Sequence, residues 1–109
     1  MKKLFVNDPF VRVYEAFKKL YPDKDCFCFW TDDLEDAHGV TLFSDNPRMS
    51  PEIFISADLP VKHAVEILAH ELAHVAVGAD ADHGEVWENA FEAIHQEYCR
   101  ATGKGGMTE

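Results

Sequence analysis

The chain has 109 residues, of which 47% are apolar, and its 20 acidic against 10 basic side chains give a formal net charge of −10. That length and composition describe one globular domain with a core of its own and exclude a disordered chain, while no apolar run is long enough to span a bilayer. The acidity, with no cluster of Lys or Arg, excludes a stand-alone DNA or RNA binder and disfavours anionic membrane surfaces, because both affinities rest on grouped positive charge.

In chain order, Met1-Lys2-Lys3-Leu4-Phe5-Val6 opens like a secretory leader, but Asn7 and Asp8 end the apolar run too early for one. From Pro9 to Leu20, apolar residues recur at helical intervals (Phe10, Val13, Tyr14, Phe17, Leu20), with Asp8 as N-cap and Pro9 at the first helical position. Tyr21-Pro22-Asp23 stops that helix. Three short strands follow: Cys26–Trp30, Gly39–Phe43 after an acidic turn from Asp32 to Asp36, and Ile53–Ile55 after a turn from Ser44 to Pro51. Their spacing suits an antiparallel meander, with a mixed sheet as the alternative.

The second half reads as two helices. Asp58 or Pro60 opens the first, with apolar positions at Val61, Val65, Leu68, Leu72 and Val75 and Gly78 as its C-cap. The loop Ala79-Asp80-Ala81-Asp82 leads to the second, from about His83 to Arg100, whose apolar stripe is Val86, Trp87, Ala90, Phe91, Ile94 and Tyr98. Trp87 and Phe91 are expected in the core, and the Gly-rich tail from Ala101 to Glu109 is expected to be mobile. Helix, three strands and two helices predict an α+β domain with helices on one face of a small sheet.

Chemistry concentrates in Ala69-His70-Glu71-Leu72-Ala73-His74, an HExxH segment inside the helical pattern. Residues four apart project from one helix face about a turn apart, so His70 and His74 can reach one Zn2+. Glu71 lies about 100° round the helix from His70. It can flank the metal and take a proton from water there. Incidental histidines are the bland alternative, and desolvating two of them with a glutamate on an apolar helix without a metal counts against it. A catalytic zinc wants a third protein ligand. The metzincin spacing fails, since it requires glycine at position 77 and histidine at position 80 where the chain has Val77 and Asp80. His83 is the favoured third ligand by donor preference, after a chain reversal through Gly78. Glu85 and Glu88 are rivals, and Asp80 and Asp82 weaker ones.

His70-Glu71-Leu72-Ala73-His74, eight residues, then His83-Gly84-Glu85-Val86-Trp87 resembles the pattern of SprT-like zinc metallopeptidases: HExxH, a loop, then HG and, after two more residues, an aromatic. The same arrangement is similar to WLM proteases and to the single-domain minigluzincins. The likeness covers roughly residues 39–91 and is most specific over 65–87. It implies His70, His74 and His83 as ligands, Glu71 as catalytic base, a three-stranded sheet packed with three helices, and a protein or peptide substrate. Ile53-Phe54-Ile55 before the helix fits the edge strand of such families, on which Ile53–Ser56 could receive substrate backbone as an added strand, although an ordinary sheet strand is an equal reading. SprT-like proteins commonly append a zinc ribbon or DNA-binding segments. This chain's three cysteines cannot build a four-cysteine ribbon, and its acidity means that a DNA-repair role does not transfer.

Several residues keep open roles. A second electrophile for the oxyanion could be His38, His63, His95, Arg48 or Tyr98. Cys26 and Cys28 with His38 could suggest another metal site, but buried apolar cysteines are the plainer reading. The odd cysteine count, Cys26, Cys28 and Cys99, points to free thiols and a reducing, cytoplasmic setting. The acidic excess is a solvated surface that could favour basic substrates. Besides a zinc endopeptidase, the sequence admits a metal-stabilised binding module without turnover, and a tail ending in Glu109 that self-inhibits by reaching the zinc.

Overall fold

The computed structural model describes residues 8–34, 37–46, 48–79 and 83–102. The helix α1 spans Pro9–Leu20, and the Asp8 carboxylate accepts from the Phe10 and Val11 amides, satisfying donors that the first turn leaves open. Val13, Ala16 and Phe17 form its buried stripe. The ammonium of Lys18 donates to the carbonyls of Pro22 and Lys24, at 3.1 and 2.6 Å, and so folds the following loop back on the helix C-terminus.

The strands are β1 (Phe27–Thr31), β2 (Gly39–Leu42) and β3 (Glu52–Ser56), in the order β1-β3-β2. β3 runs parallel to β1 and antiparallel to β2, with Phe29 and Val40 both opposite Phe54. The sheet is therefore mixed, and the meander order is corrected: the last strand enters between the first two. The reason lies in burial. Ile53 and Ile55 are completely buried, and a central position covers them and pairs both edges of their backbone, whereas β1 and β2 are partly exposed and tolerate edge positions.

The helix α2 (Val61–Val77) ends at Gly78, whose φ of +99° disfavours any residue with a Cβ and whose amide donates to the His74 carbonyl. The helix α3 (Glu85–Thr102) carries Glu85 and Glu88 in its first turn and Arg100 in its last, matching the helix dipole. Among the described residues α2 is the helix whose backbone packs on the sheet, against β2 and β3, while α1 and α3 pack on α2 and on each other. The domain is α+β, layered as sheet, α2, then α1 with α3. α2 thus needs apolar residues nearly all round, and Ala64, Val65, Leu68, Ala69, Leu72, Ala73, Val75 and Ala76 are buried on it. Phe17, Ile53, Ile55, Leu72, Ile94 and Val13 fill the centre. Val61 and Val86, expected on core stripes, are exposed; each stands in the first turn of its helix. Lys19 of α1 reaches Glu97 of α3 at 3.0 Å, and Arg100 pairs with the same carboxylate.

Candidate metal centre

The middle layer of the fold turns two faces of one helix to different neighbours. His70 and His74, one turn apart on α2, have ring centroids 5.0 Å apart. Glu71, about 100° further round, is directed at β2 and is only 6% exposed. α3 begins at Glu85 and not at His83 as the pattern suggested, so His83 stays outside the helix and turns back over α2. Its Nε2 lies 3.0 Å from His74 Nε2 and 3.3 Å from His70 Nε2.

These three imidazoles are the group among the described residues that can hold a metal ion, with one ligand nitrogen from each within 4.8 Å of the others. The separations fit the donor set. Bonds of 2.0–2.1 Å at tetrahedral angles place ligand nitrogens about 3.3 Å apart. A single proton can bridge only two nitrogens, whereas three converge here, and one cation satisfies all three lone pairs together. Burial pulls His70 below the usual imidazole range, aided by His83. Burial likewise lowers His74, where Glu71 pulls the other way and His70 and His83 add to the lowering. Neutral imidazole is the ligating form, so both shifts favour metal binding.

Trp87 forms the wall behind the cluster. Its ring centroid lies 4.6, 5.5 and 4.8 Å from those of His70, His74 and His83, and its Nε1 donates to the His70 carbonyl at 3.3 Å. Phe91 stacks on it at 5.4 Å. Both are half-buried rather than central, because the imidazoles occupy the space a core neighbour would fill. On the opposite side the Thr41 hydroxyl of β2 donates to Glu71 Oε1 at 2.5 Å. An open cleft of about 310 Å³, lined by Gly39, Val40, Thr41, Phe43, Glu71 and the three histidines, gives access.

The other candidates lie elsewhere. Glu85 and Glu88 are exposed and outside the histidine group. Asp80, Asp82 and the tail from residue 103, with its proposed self-inhibition, lie outside the described residues. His38 and His63 pack edge to face at 5.0 Å, His95 and Tyr98 line a separate cavity with Lys62 and Glu66, and Arg48 lines another beside Val75 and Gly78; none of the five lines the cleft. Cys26 is buried and Cys28 exposed, and neither joins a metal-ligating group among the described residues. Ile53–Ser56 is not an edge, since β3 is paired on both sides; the strand with a free edge at the cleft is β2.

The sequence reading missed β2 as a wall of this site. Gly39 and Thr41, alternate residues of one short strand, carried the signal only in their small size. No helix of the described residues is long and apolar enough to cross a membrane. Comparison with known proteins adds no relative: no family model, no curated protein and no solved structure matches the chain.

Proposed function

We propose that the protein is a zinc-dependent peptidase, with His70, His74 and His83 as metal ligands and Glu71 as general base. The observation that carries this reading is the convergence of three imidazole nitrogens beside a buried glutamate in an open cleft. Zinc, when bound, would supply a Lewis acid and an acidified water. Among the protein's own groups, Glu71 holds the abstracted proton and delivers it to the leaving nitrogen. Oε2 is its proton-accepting atom, since Oε1 is engaged by Thr41 and Oε2 accepts no hydrogen bond among the described residues. The substrate backbone pairs with the free edge of β2, whose open N–H and C=O groups border the cleft. The resemblance of the HExxH and HGxxW segments to SprT-like and minigluzincin peptidases supports the same reading.

A metal-stabilised binding module would have no need of the carboxylate and would close the metal with a fourth protein donor; the described group has three. The test is a peptide library digested by the zinc-loaded protein and by Glu71→Gln. Cleavage should fall by about 10²- to 10⁴-fold, the usual contribution of a general base, with zinc stoichiometry unchanged. Equal cleavage by both proteins refutes the assignment.

A further inference from the structure

We propose that β2 positions the general base: the Thr41 hydroxyl holds one oxygen of Glu71, and the missing side chain of Gly39 lets the strand close on the other. The inference rests on the peptidase reading and names two residues that reading does not require.

Gly39 and Thr41 are two apart on β2 and so face the same side, toward α2. Both touch Glu71. Thr41 Oγ1 lies 2.5 Å from Oε1 and 3.4 Å from the Glu71 carbonyl, and having one proton it donates to the nearer and more basic oxygen. A Cβ on Gly39 would stand 3.2 Å from Oε2 and 2.6 Å from Ile67 Cγ2. The second distance is shorter than atoms allow, and Ile67 is held through its branched Cβ on the helix. Any side chain at position 39 therefore drives β2 away from α2 and stretches the Thr41–Glu71 hydrogen bond.

A glutamate on a helix otherwise samples several rotamers. Thr41 is β-branched and stiff at χ1, so its hydroxyl is a fixed anchor. With Oε1 bound and Oε2 beside the space that a side chain at position 39 would fill, the carboxylate has one orientation and presents one free acceptor to the cleft. Thr41 is thus a positioning residue, acting through Glu71 rather than on the substrate.

The test compares wild type with Thr41→Val, which keeps the volume and removes the donor, Thr41→Ser, which restores the donor, and Gly39→Ala. Circular dichroism and Tm check folding, and Thr41→Ala replaces Thr41→Val should the latter not fold. Zinc affinity, kcat and KM on a cleaved peptide, and acetohydroxamate affinity of the cobalt-loaded protein are measured. Acetohydroxamate chelates the metal and gives its proton to a neighbouring carboxylate, so its affinity reports the placement of Glu71 without turnover. Thr41→Val and Gly39→Ala should lower kcat by about 10- to 100-fold with KM and zinc affinity little changed, the scale expected when a catalytic group is displaced by an ångström. They should also weaken acetohydroxamate by about tenfold, as supporting residues around metal sites do, with Thr41→Ser near wild type in each. Wild-type kcat and acetohydroxamate affinity in Thr41→Val overturn the proposal, as does a Thr41→Ser protein as impaired as Thr41→Val. Should wild type cleave no peptide, the peptidase reading fails separately, and the acetohydroxamate series still decides the role of Thr41.

Discussion

Replacing His83 by alanine tests the metal centre most directly. The side chain is exposed, so the metal-free protein should lose at most about 0.5 kcal/mol, the usual range for surface substitutions. The metal-bound protein should respond differently. Supporting residues around metal sites are worth 10- to 100-fold in affinity, and one of three direct ligands belongs at the upper end, about 100-fold or 2.7 kcal/mol. With free zinc buffered above both dissociation constants, the stabilisation by zinc shrinks by the same amount. A chain of 109 residues unfolds with an entropy of about 0.23 kcal/mol/K, so that loss lowers Tm by about 12 °C. The assay is calorimetric melting of wild type, His83→Ala, Glu85→Ala and Glu88→Ala, each with chelator and with buffered zinc. The two glutamate variants should keep the wild-type zinc shift, because neither carboxylate belongs to the histidine group. A zinc-induced shift in His83→Ala within about 2 °C of wild type would refute the three-histidine site.

Acid should destabilise the metal-free protein earlier than its carboxylates alone would. His70 and His74 titrate lower folded than unfolded, so the unfolded chain takes up protons first as pH falls through 6.5, and stability is lost below that point. The urea midpoint should therefore drop between pH 7.5 and 5.5, less so in His83→Ala, since His83 contributes to both shifts; a midpoint that rises contradicts the sign. Glu97, held down to about 2 by Arg100 and Lys19, acts only in the window below its ordinary 4.5 and leaves this interval clear. Leu72→Ala empties a fully buried position in the middle layer and should cost about 3 kcal/mol in denaturant unfolding, where a cost near zero would contradict the described core. Trp87→Phe removes the donor to the His70 carbonyl and should weaken zinc about tenfold by competition titration, with unchanged affinity speaking against its role behind the cluster.

Much of the fold is legible in local chemistry. Asp8-Pro9 starts α1, Gly78 ends α2 with a positive φ, and the 3.6-residue spacing of apolar side chains delimits the helices. Strand positions follow from short β-branched and aromatic runs between turn residues. Strand order is another matter. Nothing within residues 27–56 says that β3 lies between β1 and β2, because pairing is decided by which strand must be covered on both flanks and by how α2 leaves the sheet. The edge assigned to Ile53–Ser56 fails for that reason, and β2 takes its place.

The site divides along the same line. The pairing of His70 with His74 is set by helical geometry alone, since a spacing of four residues puts two imidazoles on one face whatever surrounds them. His83 needs a chain reversal, which the sequence allows through Gly78 but which only the packing of α3 on α2, with Trp87 against the three imidazoles, brings about. Thr41 meets Glu71 from 30 residues away in the chain and Gly39 stands further back still, separations at which no periodicity carries information. Local pattern reports what one segment does to itself, and contacts between segments exist only once burial of Ile53, Ile55 and Leu72 has pressed the sheet onto α2.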